Sequence, residues 1–196
     1  MKVEIQKYRK SIHEIGLSSE SEAILWDFYV TKSIAGSSSQ KRTASDYGLK
    51  TLPWKEMLHV AKVDDDNVKI LLANSINKTL ERYDLATTVG KGNDKRNKAI
   101  EIEYSKIVCL TPFSIADEDP PKERVGAAES VLTHIRNSFA HGLTYYLPNG
   151  KVLLEDKDQH GIITARIILD LQTLLDWIYL VDKNHKYYAR QNKEED

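Results

Sequence analysis

An apolar stripe between residues 160 and 182 constrains the fold more than any other feature of the chain. In "IITARIILDLQTLLDWIYLVD", apolar side chains recur every three or four residues, which is the spacing of one face of an α-helix. The stripe comprises Ile167, Ile168, Leu171, Leu174, Leu175, Ile178 and Tyr179. It predicts a helix that buries this face, with the first residues of the segment available as a short strand.

Further stripes of helical spacing predict helices elsewhere in the chain. Residues 1–35 are predicted to be mostly helical, a short helix begins at Pro53, and a longer helix occupies residues 64–90. The pattern is helical again over 122–140. The segment 99–113 is ambiguous, because its alternation suggests a strand while its length and neighbours favour a helix.

One segment has a clear strand pattern. "LTYYLPNGKVLLED" places strand-forming residues on both sides of Asn149-Gly150, a strong signal for a β-hairpin. Together, these patterns predict an all-α chain with a small hairpin between the helix at 122–140 and the last helix.

The length and composition predict one domain. With 196 residues, of which 41% are hydrophobic, the chain is long enough to bury one substantial core. The segment 36–48 is rich in glycine and serine and is predicted to be a flexible loop. Since neither side of this loop carries a complete core, we expect 1–196 to form a single domain, with 1–60 as a helical extension of a core at 65–182.

Composition also limits the partners. No apolar run approaches the roughly 20 residues that a membrane helix needs, so we expect no membrane association. A net charge of −1 argues against a broad nucleic-acid cradle and leaves room for a local site for one RNA strand. The single cysteine, Cys109, cannot form an internal disulfide and favours a cytoplasmic protein. The histidines are scattered, so we expect no zinc, other metal or cofactor.

The candidate functional motif is "THIRNSFAHGL", residues 133–143. At about 100° per residue, the apolar residues of this helix gather on one side. These are Val131, Leu132, Ile135 and Phe139. The other side is mostly polar and comprises Glu129, Thr133, Arg136, Asn137, Ala140 and His141.

The residue types at this helix end suit one chemistry. Histidine exchanges a proton near neutral pH, and arginine binds a phosphate through two parallel hydrogen bonds. Together Arg136, Asn137 and His141 suit the attack of an RNA 2′-hydroxyl on the adjacent phosphate, which requires no metal. The alternative is purely structural, because an exposed arginine is usually only solvated and the helix dipole favours a histidine in the last turn.

The segment "HIRNSFAHG" resembles the signature of HEPN domains, the higher eukaryote and prokaryote nucleotide-binding family. Arg136, Asn137 and His141 match the signature, and the hairpin and closing helix resemble a bacterial, plasmid-type branch of the family. The resemblance covers roughly residues 65–182. It implies a HEPN-like helical bundle that forms a homodimer through the motif helix, and a metal-independent endoribonuclease site at the two-fold axis.

The resemblance also implies roles for individual residues. His141 would be the general base or acid, Arg136 would bind the scissile phosphate, and Asn137 would orient His141 or a phosphate oxygen. Glu129 and Thr133 would support them, with Glu129 holding the arginine in place. Such an enzyme would be a toxin or antiviral effector, with an antitoxin or sensor protein as partner. The alternative is a catalytically silent HEPN module for nucleotide or RNA binding or for dimerisation.

Overall fold

The computed structural model describes residues 17–64, 68–72, 107–111, 126–146, 150–157, 159 and 163–190. Across these residues, helices pack against a five-stranded sheet, so the fold is mixed α/β. The predicted all-α, HEPN-like helical bundle is therefore wrong.

Among the α-helices of the described residues, only the first has a side-chain cap at its N-terminus. Ser18 caps the first one by accepting a hydrogen bond from the backbone N–H of Ser21 at 3.1 Å. The helices are α1 (Ser19–Trp26), which continues into a π-helical turn (Asp27–Thr31), a short 3₁₀ helix (Ala44–Tyr47), α2 (Trp54–Ala61), α3 (Ala127–Ala140) and α4 (Leu171–Val181).

The strands form one mixed sheet. They are β1 (Val68–Leu72), β2 (Ile107–Thr111), β3 (Thr144–Tyr146), β4 (Lys151–Lys157) and β5 (Ile163–Asp170). Their order across the sheet is β1-β2-β5-β4-β3. The pairs β3–β4, β4–β5 and β2–β5 are antiparallel, and β1–β2 is parallel.

The predicted hairpin is confirmed by the pairing of β3 with β4, although residues 147–149 of its turn lie outside the described residues. Two other segments correct the helical prediction. β1 lies inside the predicted helix 64–90, whose remainder from residue 73 lies outside the described residues. β5 extends to Asp170, so the last helix begins only at Leu171. For β5 the physical reason is that it lies inside the sheet with residues 165–169 buried on both faces, so its apolar run resembles a buried helix in sequence.

Both ends of the described chain contribute to one core. The ring of Tyr29 stacks on Phe139 with centroids 5.8 Å apart, and its hydroxyl donates to the backbone oxygen of Leu174 at 2.9 Å. Nε1 of the fully buried Trp177 donates to the backbone oxygen of Met57 at 2.7 Å. Residues 17–60, the described part of the expected extension 1–60, therefore supply core side chains that pack on α3 and α4.

A buried carboxylate holds the segment that follows α4. Asp182 is 1% exposed and accepts hydrogen bonds from the backbone N–H groups of Lys186, Tyr187 and Tyr188, at 2.8–3.0 Å. The guanidinium of Arg42 lies 3.6 Å from the ring centroid of Tyr187 and donates to the Tyr188 hydroxyl at 3.0 Å. These contacts join the loop at 36–48 to the C-terminal segment, and the flexibility of that loop stays a prediction.

Candidate functional site

The polar side chains of α3 meet a carboxylate of β4. His134 and Asn137 are three residues apart, so they lie on the same side of the helix. Nδ1 of His134 lies 2.7 Å from Oδ2 of Asp156, and Nδ2 of Asn137 donates to the same oxygen at 2.9 Å. Asp156 is 3% exposed and His134 is 6% exposed, so the cluster is buried between helix and strand.

The alternation of β4 explains why Asp156 faces α3. Side chains two residues apart along a strand point to the same face of the sheet. Asp156 therefore shares its face with Val152 and Leu154, which are fully buried members of the hydrophobic core. The adjacent residue, Glu155, points the other way and accepts a hydrogen bond from Nε of Arg166 at 2.9 Å.

Asn137 connects Arg136 to this buried carboxylate. Nη1 of Arg136 donates to Oδ1 of Asn137 at 3.0 Å, while the amide nitrogen of Asn137 donates to Asp156. Since only the oxygen of an amide can accept and only its nitrogen can donate, the two contacts define the orientation of Asn137. The guanidinium of Arg136 is therefore held by a chain of hydrogen bonds that ends at Asp156.

One N–H group of the Arg136 guanidinium lacks an acceptor. It is the Nε–H group, which is buried and has no hydrogen-bond partner. A buried donor without a partner costs about 1–3 kcal/mol, and more when the group is charged. Because Nε is enclosed, an oxyanion can reach Arg136 only through the terminal nitrogens of its half-buried guanidinium, which makes this residue a candidate contact for a phosphate.

The segment after α1 covers part of the motif face. Gly36 has a φ of +70°, and a Cβ at this position would lie 3.3 Å from Cγ2 of Thr133 and 3.8 Å from Cδ of Arg136. Thr133 and Arg136 are accordingly half-buried. The polar face predicted from the helical periodicity is therefore open to solvent only at its end, over 140–142.

His141 lies at this open end, and the helix terminus explains its position. Gly142 has a φ of +65°, its N–H donates to the backbone oxygen of Phe139 at 3.2 Å, and the N–H of Leu143 donates to that of Ser138 at 2.8 Å. This pair of bonds is the Schellman motif, which requires a left-handed residue immediately after the C-cap. His141 is that C-cap, so its side chain is exposed beside the last carbonyl groups of α3.

The two residues expected to support the site make other contacts. Oγ1 of Thr133 donates to the backbone oxygen of Glu129 at 2.8 Å. The carboxylate of Glu129 lies beside Gly126 at the start of the helix. Seven residues separate Glu129 from Arg136, a rise of about 10 Å along the helix. The guanidinium is instead oriented by the hydrogen bond that it donates to Oδ1 of Asn137.

Sequence reasoning missed two residues of this cluster, His134 and Asp156. The spacing of His134 from Asn137 placed them on one helix side, and the alternation of β4 placed Asp156 with core residues. Neither the helical spacing nor the strand alternation indicates that α3 packs on β4. The carboxylate and the imidazole are 22 residues apart in the chain, so only the packing brings them together.

The site contains the guanidinium of Arg136, which is held by hydrogen bonds, and the imidazole of His141, which is exposed to solvent. Arg136 and Asn137 are joined to each other and to Asp156, whereas His141 stands outside this network. Within the described part of the chain, no side-chain hydrogen bond or ion pair involves the His141 imidazole. An arginine can bind an anion through its guanidinium, and an exposed histidine can give or take a proton.

The same described residues contain no group of three or more histidine, cysteine, aspartate or glutamate side chains placed to hold a metal ion. Among the helices that the structure describes, none combines the length and apolar character needed to cross a bilayer. The chain matches no protein-family model, no curated protein and no solved structure. A functional proposal therefore depends on the residues and geometry of the cluster.

Proposed function

We propose that the protein is a metal-independent endoribonuclease of the cytoplasm whose site lies at the C-terminal end of α3. One observation carries the proposal. Arg136 is oriented by Asn137 and is only half-buried, and His141 is exposed at the end of the same helix. The likeness of residues 134–142 to the HEPN signature supports the proposal through the motif alone, since the helical bundle it implied is not the observed fold.

The proposed reaction is an internal transesterification. The imidazole of His141 takes the proton of a ribose 2′-hydroxyl, the 2′-oxygen forms a bond to the adjacent phosphorus, and the bond from phosphorus to the 5′-oxygen breaks. The products are a 2′,3′-cyclic phosphate and a 5′-hydroxyl, which receives a proton from an acid. Arg136 binds the phosphate and stabilises the charge that develops on its oxygens.

Asn137 and Asp156 would be positioning residues in this scheme. Asp156 holds the amide of Asn137, and Asn137 holds the guanidinium at 3.0 Å. A guanidinium with a defined plane matches the two oxygens of a phosphate better than one that rotates freely. Asp156→Asn is therefore expected to lower the rate less than Arg136→Ala does, because it loosens the cation without removing it.

The reaction needs both a base and an acid, and one copy of the described site exposes one imidazole. A pair of subunits that meet at the open ends of α3 would supply two histidines and two arginines to a shared groove. Residues 140–142 are exposed, and two of them, Ala140 and Gly142, are small enough to permit the close approach of a second copy. We propose a homodimer of this kind.

The test is cleavage of end-labelled single-stranded RNA in the presence of a metal chelator. His141→Ala is expected to lower the rate by about 10²–10⁴-fold, as for loss of a general acid–base group. Arg136→Ala is expected to lower it by about 10²–10³-fold, with Arg136→Lys in between. His59→Ala, another exposed histidine, is the matched control and should cleave at the normal rate. Full cleavage by both Arg136→Ala and His141→Ala overturns the assignment.

Substrate and mixing experiments test the mechanism and the dimer. RNA with 2′-deoxyribose at the cut position should resist cleavage, and the product should carry a 2′,3′-cyclic phosphate. If each groove needs residues from both subunits, a mixture of Arg136→Ala and His141→Ala proteins should recover part of the activity that each variant lacks. Sedimentation that finds only monomers during active cleavage contradicts the shared groove.

The second candidate is a catalytically silent module that binds nucleotide or RNA or dimerises. It is favoured by the observation that Arg136 and Asn137 are engaged in internal hydrogen bonds and that Gly36 covers part of their face. Induced expression in a bacterium separates the candidates. Growth arrest that His141→Ala relieves favours the nuclease, acting as a toxin or antiviral effector under an antitoxin or sensor protein. Harmless expression favours the module if the protein does not cleave RNA and binds it in a way that Arg136→Ala weakens.

A further inference from the structure

A groove of about 420 Å³ lies between α2, α4 and the segment that follows α4. It is lined by Val60, Tyr179, Leu180, Lys183, His185 and Arg190, and also by Asp176. None of these residues belongs to α3 or to the cluster around Asp156. The groove is therefore a different site from the one proposed for RNA cleavage, and it stands independently of that proposal.

Side chains that carry or accept positive charge surround one aromatic ring in this groove. The guanidinium of Arg190 lies 5.9 Å from the ring centroid of Tyr179, and the ring of His185 lies 6.3 Å from it on an inclined plane. Lys183 is exposed on the same rim. The remaining wall is apolar and is formed by Val60 and Leu180.

His185 is held in place by its backbone and by its ring. Its φ of +50° lies in the left-handed region, which a non-glycine residue adopts only when its surroundings enforce it. Its N–H donates to the backbone oxygen of Asp182 at 2.8 Å, and its Nδ1 lies 3.2 Å from the backbone oxygen of Tyr188. Because that carbonyl can only accept, Nδ1 carries a hydrogen, and Nε2 remains as the second polar atom of the ring.

We propose that this groove binds a nucleoside phosphate, either a free nucleotide or one unit of an RNA strand. Its volume suits a ligand of this size. Lys183 and Arg190 meet the phosphate, while the ring of Tyr179 and the apolar wall receive the base. Asp176, which also lines the groove, accepts hydrogen bonds from ribose hydroxyls or from an exocyclic amine.

The first experiment titrates the full-length protein with a fluorescent N-methylanthraniloyl derivative of AMP. Binding is expected, and the double substitution Lys183→Ala with Arg190→Ala is expected to weaken it at least about tenfold. Both side chains are exposed, so the variant should fold normally. Lys55→Ala is the matched control, since Lys55 is an exposed lysine of α2 outside the groove and should leave the affinity unchanged.

Competition identifies the parts of the ligand that are recognised. Unlabelled AMP should displace the probe better than either ribose 5-phosphate or adenosine, because each of these lacks one half of the contacts. A labelled single-stranded RNA distinguishes the two sources. Tighter binding of the RNA than of the AMP probe, with loss of both in the double variant, indicates a strand, whereas binding of the AMP probe alone indicates a free nucleotide.

Three outcomes overturn the proposal. They are the absence of binding by both probes up to about 1 mM, equal affinity in the double variant and the normal protein, and displacement by ribose 5-phosphate as effective as that by AMP. The variant Arg136→Ala with His141→Ala separates this proposal from the nuclease. It should bind the AMP probe normally, and a loss of binding there but not in the groove variant would place the nucleotide at α3 instead.

Discussion

Removal of the Asp156 carboxylate tests whether its hydrogen bonds stabilise the packing of α3 on β4. Asp156 is 3% exposed and accepts hydrogen bonds from His134 at 2.7 Å and from Asn137 at 2.9 Å. Asp156→Ala leaves the buried His134 and the half-buried Asn137 without their acceptor. A buried polar group without its partner costs about 1–3 kcal/mol of unfolding free energy, so we expect a loss of about 2–5 kcal/mol for the two together. For a chain of this length, the melting temperature would fall by roughly 4–20 °C.

The assay is urea unfolding followed by circular dichroism. The midpoint should fall at an unchanged slope, which reports a change in stability rather than in compactness. Asp170→Ala is the matched control on the neighbouring strand, because Asp170 is 44% exposed and pairs with Lys151 at 2.7 Å. This pair is partly exposed, since 18% of the Lys151 side chain is accessible, and we expect its loss to cost about 1 kcal/mol.

A double-mutant cycle isolates the contact itself. His134→Ala combined with Asp156→Ala should cost less than the sum of the single changes, with a coupling of about 1.5–3 kcal/mol, the worth of a hydrogen bond to a charged group. If the coupling is near zero, or if Asp156→Ala is no more harmful than Asp170→Ala, the cluster does not hold α3 on β4.

Three other predictions concern the core and the C-terminal segment. Asp182→Ala removes the acceptor of three backbone N–H groups and should cost about 2–4 kcal/mol, with faster amide exchange over residues 186–188 as its specific sign. Trp177→Phe should cost about 1–3 kcal/mol in urea unfolding, because the backbone oxygen of Met57 loses its donor. Burial raises the pKa of Tyr146 to about 12, above its value of about 10 in the unfolded chain. Its contribution to stability is therefore complete below pH ~10 and is lost as the pH rises to ~12, and Tyr146→Phe should flatten this part of the stability curve.

The sequence predicted correctly those elements whose characteristic pattern lies within one short segment of the chain. Asn149-Gly150 between two strand-forming runs predicted the pairing of β3 with β4. The helical stripe over 122–140 predicted α3, and the glycine at 142 marks the turn that leaves His141 at its end. These features depend on residues within a few positions of each other, so one chain segment contains the information.

The sequence patterns gave a wrong prediction where a segment is buried by residues that are distant in the chain. The stripe that began at Ile167 was interpreted as one helix, but β5 pairs with β4 along its length and with β2 over residues 165–167, and residues 165–169 are buried on both faces. A central strand and a buried helix are both continuously apolar, so periodicity cannot separate them. The segment 99–113, which the sequence left open between strand and helix, contains β2, and the predicted helix at 64–90 contains β1.

The sequence by itself determined which residues carry the candidate chemistry: an arginine, an asparagine and a histidine at one helix end, with a glycine that exposes the histidine. Only the tertiary structure decided what holds them. Asp156 becomes the partner of Asn137 and His134 because β4 packs under α3, and Gly36 narrows the open face because the segment after α1 crosses it. The reason is that side-chain spacing along one element defines a face, whereas the identity of what meets that face depends on how distant elements pack.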